Sequence, residues 1–291
     1  MSPYYLEELA RGVYARIGTG PVQPNSAFIV GDGGVTLFDT TYSPAAARAI
    51  AADIARVTAK PVDTLIISHH HWDHSWGAQV FSVARVIGHA NTRRSLQQFG
   101  AAAQETLRQR AEFAADWMCV PSDQFAAEIE EVHITAPSLT FEDGLTMWLG
   151  EREVRLLHPG PAHTSGDVLL HLPAEGVVFG GDVVCNRLIP VVGDGDPAGF
   201  GEALQAVMAL QPKAIVPGHG GVAGMPELER FAACLGALRA EVEAAWRQGA
   251  ADPEEALKRV RLADFADWAG RAFLPGSVRR IWAQLTDDRP G

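Results

Sequence analysis

The sequence predicts an α/β fold, a four-layered αββα sandwich, and three observations support this prediction. Short apolar runs alternate with Ala-rich stretches of helical spacing through most of the 291 residues. The β-like runs fall into two groups, and helical segments follow each group. Histidine and aspartate residues stand beside the ends of several runs, where sheets of this kind usually carry their functional side chains.

The first group is predicted from runs rich in β-branched and aromatic residues, which favour strands. An Ala-rich helix follows the third strand and ends at Lys60-Pro61, because proline cannot continue a helix. In chain order, the predicted elements are strands near 13–17, 26–30 and 35–39, a helix from about Pro44 to Ala59, and strands at 64–68 and 84–88.

Residues 91–131 interrupt this alternation. They are rich in Ala, Gln and Glu, place apolar residues at helical spacing, and contain a break at Pro121-Ser122-Asp123. We therefore expect two helices inserted between core strands. The insert either forms a lid over the candidate site or packs on the outside, and the sequence leaves both possibilities open.

The second group resumes the strand pattern after the insert, with Gly turns between some of the runs. The predicted elements are strands at 139–141, 145–149, 153–157, 167–172 and 177–181, a helix from about Pro197 to Leu210, and a strand at 214–216. Three or four helical segments finish the chain. We expect residues 1–224 to form the sandwich domain with its insert, and residues 225–291 to form a C-terminal helical extension.

The C-terminal extension carries three tryptophans, whose large apolar rings need a surface to pack against. They are Trp246, Trp268 and Trp282. They either cover a pocket or form the face of a homodimer, so a homodimer is one expected assembly.

Composition excludes several classes of partner. The net charge of -11 and the pI near 5.3 argue against a nucleic-acid surface, since phosphate binding needs clustered Lys and Arg. No apolar run reaches membrane-spanning length, and the first residues show no secretory signal. The three cysteines show no CxxC spacing, which suits a reducing compartment. We expect a cytoplasmic protein that acts on a small-molecule substrate, without nucleic-acid or membrane partners.

The most informative motif is His69-His70-His71-Trp72-Asp73-His74, directly behind the apolar strand Thr64–Ser68. Four imidazoles and a carboxylate at a strand end are unfavourable unless they find partners. A single histidine there would ordinarily be a solvated or hydrogen-bonded side chain. A cluster favours a metal centre, because neutral imidazole and carboxylate are ordinary ligands of zinc and similar metals.

Three further segments supply residues of the same types on Gly-containing turns. They are Gly160–Asp167, Val178–Asp182 and Val216–Gly220. The last two place an Asp or a His just after a short apolar strand, and the first places a His just before one. Glycine lets the backbone approach closely, which suits a rigid set of ligands.

Taken together, these motifs resemble the metallo-β-lactamase-fold hydrolases, over most of the chain from about Gly12 to Gly221. The resemblance implies two divalent metal ions, with zinc expected and manganese or iron as alternatives. It further implies that one metal is held by His69, His71 and His163, the other by Asp73, His74 and His219, and that Asp182 bridges the two.

The resemblance also gives expectations for neighbouring residues. Asp39 would orient metal ligands from outside, although it also reads as a turn residue before Ser43-Pro44. His70 fills a variable position of the motif and is expected at the surface or outside the ligands. Thr40-Thr41 departs from the Gly that often follows in relatives, which would alter the wall of the adjacent pocket.

A metal pair of this kind favours hydrolysis of an ester-like acyl bond. The metals would lower the pKa of bound water from roughly 15.7 to near 7, so that a metal-bridged hydroxide attacks a thioester, ester or lactone. They would also stabilise the oxyanion that forms. Asp73 is the candidate catalytic residue, because it would orient this water or carry its proton.

Candidate substrate-binding residues lie near the motif. Trp72 and Trp76 would give an apolar wall for an acyl or aromatic substrate, or would pack in the core. Arg187 would bind a substrate carboxylate, or would form an ordinary ion pair with one of the many acids.

Three other functions remain compatible with the sequence. A β-lactamase-like cyclic amide hydrolase is the nearest, although such enzymes commonly lack a bridging Asp at the position of Asp182. A sulfur dioxygenase would use a single iron in the same fold. A non-catalytic protein of this fold would usually have lost ligands, and none is missing here.

Overall fold

The computed structural model describes residues 3–20, 22–81 and 85–287. A seven-stranded and a five-stranded sheet pack face to face, and helices cover the outer face of each sheet. The four-layered αββα sandwich predicted from the sequence is confirmed.

The first sheet keeps its strands in chain order. Its strands are β1 (Tyr4–Ala10), β2 (Val13–Gly18), β3 (Ser26–Val30), β4 (Val35–Phe38), β5 (Val62–Ile66), β6 (Arg85–His89) and β7 (Leu139–Phe141). Neighbouring strands from β1 to β4 are antiparallel, and those from β4 to β7 are parallel. The carboxyl ends of β4, β5 and β6 therefore meet at one edge.

The second sheet has the order β12-β11-β10-β9-β8. Its strands are β8 (Gly144–Leu149), β9 (Arg152–Leu157), β10 (Leu169–Leu172), β11 (Val177–Gly181) and β12 (Ala214–Pro217). Only β11 and β12 are parallel neighbours, so the carboxyl ends of these two strands also share an edge.

Nine α-helices lie in the described ranges. They are α1 (Pro44–Val57), α2 (Trp72–Ser75), α3 (Ala90–Gln109), α4 (Ala111–Met118), α5 (Ser122–Glu130), α6 (Pro197–Ala209), α7 (Met225–Arg247), α8 (Pro253–Leu257) and α9 (Leu274–Asp287). α1 shows why such segments form: Ser43 accepts a hydrogen bond from the Ala46 N–H, Pro44 sits in the first turn, and one face is buried.

Three hydrophobic cores hold the four layers together. One lies between the sheets, and a second joins α1 to the outer face of the first sheet. The third joins the outer face of the second sheet to α6, α7 and α9. Trp268 is buried in this third core, and Trp282 packs against it. The C-terminal extension therefore shares a core with the second sheet.

The structure differs from the sequence prediction in three places. β1 was not predicted, because it is an edge strand whose residues are partly or fully exposed and show no clean alternation. The insert has three helices rather than two: Arg110 leaves the helical conformation (φ -114°, ψ 27°) and separates α3 from α4, a break that was not predicted. The predicted break is the one between α4 and α5, which starts at Ser122. The predicted strand 84–88 begins outside the described residues and runs to His89.

In the portions of the chain described above, no helix is long and apolar enough to cross a membrane. All three cysteines are free, with Cys119 exposed and Cys185 and Cys234 buried.

Candidate metal centre

The motifs identified from the sequence meet at one end of the two sheets. The histidine cluster follows β5, with His71 directly before the short helix α2. Asp182 follows β11 and His219 follows β12, while His163 lies on the loop between β9 and β10. Strand ends from both sheets thus bring these side chains together.

The side chains form two groups in which the candidate ligand atoms all lie within 4.8 Å of one another. The first group is His69, His71, His163 and Asp182, and the second is Asp73, His74 and His219. Every member except His71 is buried. The structure therefore gathers all seven residues that the resemblance assigns as metal ligands.

Asp182 lies between the two groups. Its Oδ2 is 3.3 Å from His163 Nε2 in the first group. Its Oδ1 is 3.2 Å from His74 Nε2 and 3.3 Å from His219 Nε2 in the second. The two oxygens of one carboxylate therefore face opposite groups, as a bridging ligand requires.

The donor atoms converge in a way that fits cations. His163 Nε2 lies 2.8 Å from His71 Nδ1, and His74 Nε2 lies 3.3 Å from His219 Nε2. His69 Nε2 is buried without a hydrogen-bond partner among the described residues. Buried polar atoms of this kind are unfavourable alone, and imidazole nitrogens with a carboxylate suit zinc and similar metals.

The electrostatics of the groups are strongly coupled. Burial lowers the pKa of His219, but the Asp182 and Asp73 carboxylates outweigh it and raise that pKa to about 9. Burial raises the pKa of Asp182, yet the neighbouring histidines hold it well below its usual value. Burial lowers the pKa of His163 to about 4. The centre thus holds ionised carboxylates next to imidazoles, a set of charges suited to positive ions.

Asp39 contacts the second group from behind, in agreement with the role that the resemblance implies. It is buried, with a positive φ of 62°. Its Oδ1 accepts a hydrogen bond from the Ser68 N–H at 2.8 Å, and its Oδ2 accepts one from the Ser68 hydroxyl at 2.7 Å. The same Oδ2 lies 3.0 Å from His74 Nδ1, which leaves Nε2 of that ring facing Asp182.

Asp194 contacts the first group, and sequence reasoning missed it. Its Oδ2 lies 2.9 Å from His71 Nε2, while His71 Nδ1 faces His163. His163 in turn donates from Nδ1 to the Val191 carbonyl at 2.8 Å. Asp194 stands on a Gly-rich loop far along the chain, and its type and spacing match no motif. His70 is half-buried and belongs to neither of the two groups above; with His71 and Asp194 it forms a third set whose candidate ligand atoms also lie within 4.8 Å of one another.

Helix α9 holds the loop that carries Val191 and Asp194. The Val192 N–H donates to Ser277 Oγ at 3.0 Å, and Arg280 Nε donates to the Gly195 carbonyl at 2.6 Å. This loop therefore depends on the C-terminal extension for its position.

Asn25, also missed as a functional residue, holds the loop that carries His219. Its side-chain amide donates to the carbonyls of Pro217 at 2.9 Å and Gly220 at 2.7 Å. Its backbone N–H donates to the Gly218 carbonyl at 2.7 Å. Gly218 has no room for a side chain, because a Cβ there would lie 1.9 Å from Asp182 Oδ1.

A cavity of about 980 Å³ opens beside the centre. Its lining includes His71, Asp73, His163, Asp182 and His219 of the two groups. The volume is near the upper end of the range of about 300–1,000 Å³ typical of small-molecule sites. The cavity can therefore hold considerably more than the scissile bond of a substrate.

The candidate substrate-binding residues differ in position. Trp72 and Trp76 both line the cavity, although Trp76 is almost fully buried and packs in the core beneath the insert. Arg187 is not among the lining residues, and its guanidinium forms an ion pair with Asp267. The ion-pair alternative left open by the sequence describes what the structure shows for Arg187.

The insert takes part in the cavity wall. Leu96 and Phe99 of α3 and Trp117 of α4 line the cavity, while α4 and α5 also pack on Tyr42. The insert therefore does more than pack on the outside, because it lines the cavity; that it acts as a lid stays a prediction.

Comparison with known proteins points to one superfamily. The sequence profile described as "Metallo-beta-lactamase superfamily" matches residues 19–219. The linear primary-alkylsulfatase of a Pseudomonas species is 23% identical over 256 residues, which cover 79% of this chain and 48% of the relative. Human acyl-coenzyme A thioesterase MBLAC2 is 28% identical over 172 residues, which cover 57% of this chain and 59% of the relative. The chain thus spans about half the length of these curated relatives.

A solved structure shares the fold. The metallo-beta-lactamase from Pontibacter korlensis superposes with a TM-score of 0.64 at 17% sequence identity. The match covers 80% of this chain and 99% of that one.

Proposed function

The chain belongs to the metallo-beta-lactamase superfamily, and from this premise we propose that it is a metal-dependent hydrolase of small molecules. The bond it cleaves is an ester-like acyl bond. A thioester or an ester is preferred over a lactone as the substrate class. Two divalent metals, zinc in the first place, are held by the seven residues of the candidate centre.

One observation carries this proposal: Asp182 directs its two carboxylate oxygens at two separate sets of histidine nitrogens. A single-metal site would need only one of these sets. Two divalent ions would supply a Lewis acid and an activated water at neutral pH.

Asp73 is the residue that we propose for proton transfer. Its carboxylate lines the cavity and lies 3.4 Å from His219 Nε2 and 3.6 Å from His74 Nε2. Burial raises the pKa of Asp73, but these two imidazoles outweigh it and lower the pKa below its ordinary value. The carboxylate is therefore ionised at neutral pH, where it can orient a water molecule. Because its pKa is low, it can hold a proton from that water only transiently before passing it on.

The choice of an acyl bond rests on the relatives and on the cavity. Human MBLAC2 is by name an acyl-coenzyme A thioesterase, and it matches over half of this chain. A sulfate ester is the second candidate, because the named alkylsulfatase matches a larger share of the chain. Both names specify a substrate with a hydrocarbon part. The apolar residues that line the cavity are suited to binding such a part.

The test combines metal content with turnover. Purified protein is assayed on acyl thioesters, acyl esters, lactones, an alkyl sulfate and a chromogenic cephalosporin, and its metals are counted by mass spectrometry. We expect thioester or ester turnover that stops on chelation. Asp182→Ala should lose one metal equivalent and most of the activity, whereas Glu202→Gln, an exposed acid on α6, should change neither. Full metal content and full activity in Asp182→Ala would overturn the bridging assignment.

A further inference from the structure

One wall of the cavity is built from parts of the chain that lie outside both sheets. The insert contributes Phe99 from α3, and Phe113 and Trp117 from α4. The C-terminal extension contributes Phe273, which immediately precedes α9. The cavity thus continues from the candidate metal centre into a space between two additions to the sandwich.

The aromatic residues of this wall contact one another across the junction. The ring centroids of Trp117 and Phe273 are 3.8 Å apart, and those of Phe113 and Trp117 are 4.8 Å apart. Phe113 and Phe273 are 6.5 Å apart. These three rings, which we call the aromatic wall, join the insert to the extension.

The aromatic wall is only partly covered by protein. Phe113 is 45% exposed, and Phe99 on the neighbouring helix is 53% exposed. Large apolar side chains left in contact with water are unfavourable, and a group of them beside a cavity marks a binding surface for an apolar ligand. An occupant of this surface can also reach the candidate metal centre, because Asp73 and Asp182 line the same cavity.

On the basis of the proposed function, we infer that the substrate carries an extended hydrocarbon chain, and that the aromatic wall binds this chain. The scissile group would then lie at the Asp73 and Asp182 end of the cavity, with the chain lying along the cavity-facing side of the aromatic wall. Burial of each additional methylene in such a wall raises affinity about fourfold. The length of the hydrocarbon chain would then strongly affect substrate preference.

The test uses n-alkyl alcohols of four, six and eight carbons, which contain no bond to hydrolyse. Their binding to the metal-loaded protein is measured by titration calorimetry. We expect affinity to rise steeply with chain length for the unaltered protein. Trp117→Ala should weaken octanol binding about five- to tenfold and flatten the dependence on chain length. Trp117→Phe, which keeps an aromatic ring, should retain most of the dependence.

The matched control is Trp148→Ala. Trp148 is 62% exposed on β8 and is not among the lining residues, so its loss should leave alcohol binding unchanged. Alcohol affinity that does not depend on chain length in the unaltered protein would overturn the inference. So would equal binding by Trp117→Ala and the unaltered protein. Since no turnover is involved, either result is separate from a failure to find hydrolysis in the substrate panel.

Discussion

The two histidine groups of the centre are supported in different ways. His74 in the second group is backed by Asp39, which is buried at the end of β4 and fixed by two hydrogen bonds from Ser68. His71 in the first group is backed by Asp194, whose side chain is 63% exposed on a loop. One support is part of the sandwich core, and the other is part of its surface.

The comparison extends to the parts of the chain that supply each support. Asp39 lies within the 19–219 match to the superfamily profile, as do all seven candidate ligands. The loop that carries Asp194 is held by Ser277 and Arg280, which lie beyond that match. We infer that the second group is fixed by the common fold, whereas the first group depends in part on this chain's own C-terminal extension.

The largest expected effect comes from Asp39→Asn. The side-chain oxygen of the new asparagine must take the place of Oδ1, because the Ser68 N–H needs an acceptor there. The amide NH₂ then takes the place of Oδ2 and faces His74 Nδ1. That ring would then carry its proton on Nε2, turned toward Asp182, and would be a poor ligand. We expect metal affinity to fall about 100-fold. This is the upper end of the losses typical for substitution of a residue that hydrogen-bonds to a metal ligand.

Metal affinity of Asp39→Asn is measured by competition with a zinc chelator, and thermal unfolding is followed in parallel. Asp32→Asn, an exposed acid on the turn between β3 and β4, is the control. Unchanged affinity in Asp39→Asn would contradict the buried support of the second group.

Asp194 is expected to tolerate the same change. Because the side chain is exposed, an asparagine there can rotate and still accept a hydrogen bond from His71 Nε2. Asp194→Asn should therefore keep metal affinity within a few-fold, whereas Asp194→Ala should lower it about tenfold. Chelator competition on both variants checks this, and equal losses in the two would remove the distinction between the groups.

The smallest effect on metal affinity is expected at Arg280, which contacts the loop that carries Asp194 rather than a candidate ligand. Arg280→Ala removes the hydrogen bond to the Gly195 carbonyl but leaves Ser277 in place, so the loop should loosen without being lost. We expect metal affinity to fall a few-fold and the free energy of unfolding to fall by about 1 kcal/mol. Arg279→Ala is the matched control, because Arg279 pairs with Glu254 instead of the loop. An equal effect of the two substitutions would show that the extension does not position the first group.

The sandwich and the clustering of the seven candidate ligands could both be predicted from the sequence, for a physical reason. Most of the candidate ligands follow the end of a strand or lie on a Gly-containing turn beside one, so local patterns of apolar residues place them at a sheet edge. Asp182 and His219 are both of this kind. Asp73 and His74 lie on the short helix α2 that follows β5. Where a strand is short, buried and bounded by turns, its end is well determined by the sequence.

The residues that position the candidate ligands, Asp194 and Asn25 among them, could not be predicted in the same way. Asp194 acts on a residue 123 positions away, and the amide of Asn25 reaches a carbonyl 195 positions away. Such contacts depend on how the loops pack, and neither residue is unusual in its local sequence. The aromatic wall could not be predicted either, because the contact between Trp117 and Phe273 joins two regions of the chain that no periodicity relates.

The central claim is that Asp182 joins two metal sites within one chain. The most direct measurement is native mass spectrometry of the unaltered protein after loading with zinc and removal of the excess. The account predicts two zinc ions per chain, bound at neutral pH and removed by a chelator. A single ion per chain at saturation would contradict it.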